Sequence, residues 1–310
     1  MNTSALRGFF QRFGLLISFL LLCVALSFLS DRFLTVGNWT NILRQSSINL
    51  IIAIGMTYVI LTAGIDLSVG SVLALSTIVT ADLLQRGIPI LPTMIIGLTL
   101  GGVLGLASGL LISRIKVPPF VATLGMMTVA RGLALTYTQG RPITGLPDAF
   151  RTIGTGFLGP IPMPIIVAGV AFLAGYILLT RTRMGMNIYA LGNNPVAAHY
   201  TGIATANYTT FVYVLAGALA ALAGMILVAR LDSAQPTAGI SYEFDAIAAV
   251  VVGGTSFAGG EGSLVGTLLG VLVISVLNNG INLLNVSSFY QPVVTGVVIA
   301  LALLLYKAVR

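Results

Sequence analysis

Arg181-Thr-Arg-Met-Gly-Met-Asn-Ile-Tyr-Ala-Leu-Gly-Asn-Asn-Pro-Val-Ala-Ala-His-Tyr-Thr-Gly202 is a polar stretch between two apolar spans, Thr152–Thr180 and Ile203–Ala229. Each span exceeds the roughly 20 residues that a helix needs to cross a bilayer, so the polar stretch belongs at a membrane surface. It reads as a surface helix. Asn193 or Asn194 can cap its start, Pro195 suits the first turn, and Gly202 can end it. A short helix of this kind beside Arg181 and Arg183 offers a partner protein a place to push.

The rest of the chain agrees with a lipid environment. It is 57% hydrophobic and 7% charged, with a mean hydropathy of +1.03, against a charged share of about 25% in soluble domains. A core of 310 residues in water could not bury that much apolar surface. The net charge of +7 comes from bases scattered singly through loops, which suits retention at an anionic membrane face and not nucleic-acid binding. Cys23 stands alone inside the first apolar run, so no intrachain disulfide forms.

Charge-free runs mark the spans Phe13–Ser30, Ser46–Ile65, Gly87–Ser113, Thr152–Thr180, Ile203–Ala229 and Val286–Tyr306; Leu67–Ala81, which is short, and Val117–Tyr137, which contains Pro118, Pro119 and Arg131, are less clean spans. Asp245–Asn285 must divide at the glycine-rich Gly253–Gly262, which gives ten spans. The expected fold is therefore all-α and polytopic, a single membrane domain over residues 1–310 with a partner-coupling segment at 181–205. An even count puts both termini on one side. The pairs Arg114/Lys116 and Arg181/Arg183 place that side in the cytoplasm, with Arg7, Arg12, Lys307 and Arg310. Asp31, Asp82, Asp148, Asp232, Glu243 and Asp245 then fall outside.

Small residues supply the packing. Gly101, Gly105 and Gly109 repeat every fourth residue in one span, and Gly266 and Gly270 do so in another. Thr62-Ala-Gly-Ile65 recurs as Thr237-Ala-Gly-Ile240 at sites of opposite orientation, as an inverted-topology repeat requires. After the first copy, Gly64 can end one helix while Asp66 caps the next, ahead of Ser68. An ionisable residue at that depth is equally a candidate gate. Asn278, Asn279 and Asn282 form a polar patch at helical spacing, able to meet solute hydroxyls or to bond neighbouring helices.

Chemistry is absent where it would have to show. Gly253–Gly262 contains no lysine, so it is no nucleotide-binding loop. His199, the sole histidine, has no carboxylate or cysteine at ligand spacing and sits in the polar surface stretch, which removes metal and triad catalysis. Asp66 and Arg131 are the only candidate charges within spans, too few for an ion-coupled transporter.

Five stretches carry a family resemblance: Ile60–Ser71, Pro118–Leu124, Ala229–Gly239, Asp245–Ser256 and Leu277–Leu284. They resemble the permeases of bacterial monosaccharide ABC importers, those for ribose above all, over nearly the whole chain. The resemblance implies a type II importer fold in the inner membrane and a homodimer of ten-helix subunits. It implies a separate ATPase carrying ATP and magnesium on two fused nucleotide-binding domains, with no cofactor in this chain, and a periplasmic sugar-binding protein. Asn193, Asn194, Pro195, Val196, Ala197, Ala198, His199, Tyr200 and Gly202 then correspond to the helix that docks on the ATPase. Thr62, Gly64, Asp66, Ser68, Phe120, Asn278, Asn279 and Asn282 are the residues expected along the sugar path or its gate. Val286–Phe289 and the Ser-Ala-Gln-Pro-Thr run favour ribose over arabinose, xylose, galactose or autoinducer-2, with another small polar solute as the alternative.

Overall fold

The computed structural model describes the backbone of residues 3–309 and the side chains of 14–287 and 289–300. Arg310, and the side chains of Arg7, Arg12 and Lys307, lie outside the described residues. The helices are α1 (Thr3–Leu29), α2 (Val36–Leu61), α3 (Val69–Gln85), α4 (Ile90–Ser113), α5 (Pro119–Thr138), α6 (Asp148–Thr155), α7 (Met163–Arg181), α8 (Arg183–Asn193), α9 (Pro195–Tyr200), α10 (Thr205–Leu231), α11 (Tyr242–Val252), α12 (Leu264–Leu283) and α13 (Gln291–Val309). Strand pieces are confined to two short antiparallel pairs, β1 (Ile143–Thr144) with β4 (Ser233–Ala234) and β2 (Phe157–Leu158) with β3 (Ile161–Pro162).

Six of the described helices, α2, α4, α5, α7, α10 and α12, are long and apolar enough to cross a membrane. The shorter apolar helix α3 and the helices α1, α11 and α13 pack with them in one bundle. Several expected boundaries move: the first span begins at Thr3 and not Phe13, and the last at Gln291 and not Val286. The second span begins at Val36 and not Ser46, because Arg44 lies inside the helix with its guanidinium 4.7 Å from the Phe157 ring centroid. The sixth begins at Met163 and not Thr152; before it come α6 and a hairpin that turns at Gly159, where φ is +60°.

The two central helices are α2 and α10, and each is gripped by a helix from the opposite part of the chain. A methyl group on Gly101 would overlap the Gly217 carbonyl of α10, and one on Gly105 the Tyr213 carbonyl. In the second part α12 packs on α2, where Thr57 and Thr267 share a hydroxyl hydrogen bond of 2.8 Å. Gly266 and Gly270 press against Gly253 and Ala249 around α11. The arrangement α3–α5 in one half thus matches α11–α13 in the other, with α2 and α10 equivalent, as an inverted repeat demands.

Loops gather at two ends. At one, Gln85 Nε2 donates to the Thr144 carbonyl and the Leu146 amide to Asp232 Oδ1 at 2.8 Å, joining the loops after α3, α5 and α10. At the other, α8 and α9 lie beside the start of α10, where Asn187 Nδ2 donates to the Tyr208 hydroxyl at 2.6 Å.

Candidate functional site

The polar stretch folds as two helices and not one. Thr182 caps α8 by accepting from the Gly185 amide at 3.4 Å, and the chain then bends at Asn194. There the Asn194 side chain accepts from the Val196 and Ala197 amides at 3.1 and 2.9 Å, with Pro195 in the first turn. Gly202, at φ +84°, takes the left-handed turn that ends α9, while the Ile203 amide returns to the Ala198 carbonyl at 3.1 Å. Ala198 is 4% exposed and seats the helix, whereas Val196 and Tyr200, one turn apart, are 64% and 85% exposed. His199 and Ala197 also face outward, and the His199 ring lies tilted against that of Tyr200 with centroids 6.1 Å apart.

Just before α9, at the end of α8, three pieces of backbone touch. The Gly260 amide donates to the Leu61 carbonyl at 2.9 Å, and a methyl on Gly192 would overlap both. Asn193 lies against Gly260, and the Tyr189 hydroxyl donates to the Gly262 carbonyl at 2.8 Å. The end of α2, the end of α8 and the 253–263 loop therefore meet with almost no side chain between them.

From Leu61 the chain leaves helical geometry. Thr62 closes α2, with its hydroxyl on the Val59 carbonyl at 2.8 Å. The left-handed residue is Ala63, at φ +58°, and not Gly64. Gly64 instead lacks room for a Cβ, which would strike the Tyr213 hydroxyl. Asp66, 1% exposed, is two residues removed from its expected capping role: Ser68 holds the N-cap position of α3. Asp66 Oδ1 accepts from the Ser68 amide at 2.8 Å and its hydroxyl at 2.6 Å. The Ile65 carbonyl receives Thr123 Oγ1 at 3.3 Å, one turn beyond Phe120, which is 53% exposed.

The second Thr-Ala-Gly-Ile copy also lies in a break, between α10 and α11. Arg131 of α5 reaches across with Nη1 2.6 Å from the Pro236 carbonyl and 2.8 Å from that of Ala238. The two breaks touch where α3 and α11 begin: a methyl on Gly70 would overlap the Gly239 carbonyl and crowd Glu243 Oε2. Glu243 and Asp245 were expected in an outer loop. They occupy the first turn of α11 within the bundle, where Asp245 accepts from Thr295 at 3.1 Å. Acidic residues in a first helical turn face the positive end of the helix dipole, which suits them to this position.

The asparagine patch is not part of this cluster. Asn279 exchanges two amide hydrogen bonds with Asn38, at 3.1 and 2.8 Å, near the start of α2 and so at the opposite end from Thr62–Ser68. Asn282 Oδ1 accepts from Gln291 Nε2 at 3.1 Å. Both therefore bond neighbouring helices. Asn278 is 5% exposed and its Oδ1 has no hydrogen-bond partner among the described residues. Sequence reasoning passed over Thr123, Tyr213 and Glu243, although a buried-span threonine and a lone arginine on one helix were visible signals for α5.

An all-α membrane bundle with two broken helices and a capped surface helix is the architecture of a transport permease. The chain belongs to the family described as the branched-chain amino acid transport system, permease component, which it matches over residues 38–304. It is 52% identical over 300 residues to the ribose import permease of Bacillus subtilis (strain 168), covering 96% of this chain and 93% of that one. The ribose import permease of Escherichia coli (strain K12) is 50% identical over 293 residues, 93% of this chain and 91% of the relative. The D-allose transport system permease of the same strain is 41% identical over 280 residues, 90% and 86% of the two chains. No solved structure gives a significant match.

Proposed function

We propose that this chain is the membrane subunit of an ATP-driven importer that carries ribose across the bacterial inner membrane by alternating access. ATP and magnesium are bound by a separate ATPase with two fused nucleotide-binding domains. A periplasmic binding protein delivers the sugar, and a second copy of the chain completes the path. The end bearing α8 and α9 faces the cytoplasm, as do both termini.

One observation carries this reading: α9 presents Val196 and Tyr200 outward, and the residues just before its cap, Gly192 and Asn193, pack on the Leu61 and Gly260 backbone. A displacement of α9 by the ATPase passes through that junction to the break at Thr62–Ser68 and to the loop between α11 and α12. Ribose is neutral and rich in hydroxyls, so its path needs few charges, in keeping with the 7% charged composition. Half-identity to ribose permeases over more than nine-tenths of the chain favours ribose over other sugars.

Reconstitution in proteoliposomes with the cognate ATPase and binding protein tests it. Wild-type vesicles accumulate labelled ribose on ATP addition, in preference to galactose. Tyr200→Ala, which truncates an exposed aromatic anchor, lowers uptake and stimulated ATP hydrolysis together by about thirtyfold if Tyr200 is a docking hot spot worth about 2 kcal/mol. Wild-type coupling in this variant would remove α9 as the docking element, and absence of ATP-dependent ribose uptake by the wild type would overturn the function itself.

A further inference from the structure

Helix α5 packs on α3 and α4 of its own half, yet its polar side chains reach both breaks. Thr123 Oγ1, whose shorter bond of 2.9 Å runs to the Pro119 carbonyl of its own helix, also lies 3.3 Å from the Ile65 carbonyl of the first, which the Tyr213 hydroxyl approaches at 3.5 Å; Arg131 Nη1 donates to the Pro236 and Ala238 carbonyls of the second. Non-helical backbone at membrane depth persists only where something satisfies its polar groups. Pro236 lies in a stretch outside any helix, so no helical ladder serves those carbonyls. Arg131 has no carboxylate within salt-bridge distance among the described residues, so its hydrogen bonds go to the two carbonyls, while Glu243 of α11 attracts it from farther off.

Thr123 and Arg131 stand two turns apart, about 12 Å along the helix axis. The breaks they hold also touch each other through Gly70 and Gly239. We propose that Thr123 and Arg131 are positioning residues for transport, and that α5 holds both breaks at once, so that a tilt of α5 reshapes them together. The proposal rests on the transport reading above. In this arrangement the two half-helices α3 and α11 change their seating as a pair, and neither break opens while the other stays closed.

The test uses the full chain in proteoliposomes with Cys23→Ala and a single reporter cysteine at Ile65 or at Ala238, both half-buried. Maleimide reactivity of each reporter is measured in Thr123→Val, Arg131→Met and Arg131→Lys. Thr123→Val, an isosteric change, is expected to raise labelling at Ala238→Cys as well as at Ile65→Cys. Arg131→Met raises both by at least about tenfold, the worth of one of the two charge-assisted hydrogen bonds it removes, and Arg131→Lys restores most of the protection. This readout needs neither sugar nor ATPase, so it stands whether or not ribose is the cargo. In the reconstituted importer the Thr123→Val and Arg131→Met variants lower turnover about tenfold while the ribose concentration for half-maximal uptake stays unchanged. A labelling change confined to the break that each residue touches, or no change at all, overturns the shared clamp. A shift in half-saturation with turnover preserved does the same.

Discussion

The reciprocal amide pair Asn38–Asn279 lends itself to a double-mutant cycle. Two hydrogen bonds join α2 to α12 here, and Asn38 Nδ2 makes a further one to the Phe33 carbonyl at 3.0 Å. Interhelical polar contacts in membrane proteins average about 0.6 kcal/mol each and reach about 1.7, so a doubly bonded pair should couple by about 1–2 kcal/mol. Asn38→Leu and Asn279→Leu each leave one amide without its partner, a loss of about 1–3 kcal/mol. Asn38→Leu is the costlier because the bond to Phe33 goes too. The double variant replaces both amides with side chains that pack in an apolar interior, and its loss falls short of the sum by the coupling energy. Reversible unfolding in mixed micelles under a denaturing detergent measures all four forms. Additivity to within about 0.3–0.5 kcal/mol would refute the pairing. The same variants decide the role of the patch: a stable double variant that no longer transports would place Asn279 on the solute path, whereas retained transport leaves it a helix-joining residue.

Two further expectations follow from the break and the bundle ends. Asp66→Asn keeps an oxygen for the Ser68 amide and should unfold at the wild-type temperature, while Asp66→Leu strands that amide and loses about 1 kcal/mol or more; equal loss in both would mean that the negative charge, and not the acceptor, holds the turn. In a Cys23→Ala background, Thr237→Cys should react with an impermeant thiol reagent in intact spheroplasts and Thr201→Cys should not, both positions being exposed; the reverse pattern would invert the orientation.

Much of the fold was legible because lipid solvation leaves a coarse signal. Each run without charge became a helix, and Gly253–Gly262 divided the last long run where α11 gives way to α12. The cap-and-stop pattern of Asn194, Pro195 and Gly202 was local, so it located α9 correctly. The failures had long-range causes. Arg44 was read as a boundary because a charge in a span is expensive, yet the Phe157 ring, from a hairpin far along the chain, receives it. Glu243 and Asp245 were placed in a loop for the same reason, and the break before α11 brought them inside. Which carbonyls α5 holds could not be read, since a carbonyl acceptor leaves no trace in residue identity. Asp66 illustrates the limit from the other side: its capping chemistry was foreseeable, but the two-residue shift to Ser68 depends on how the break is seated against Tyr213.

The exchange of helices between halves bears on how the chain is made. The close face of α4, with Gly101, Gly105 and Gly109, has its partner in α10, which leaves the ribosome only after α5, the hairpin and α7–α9. Until then that face has only acyl chains for company, and α2 likewise waits for α12. A chain released early would therefore hold correctly threaded helices with unfilled seams, a substrate for membrane quality control. Coexpressed fragments cut in the loop between α9 and α10 would have to interlock and not merely adjoin.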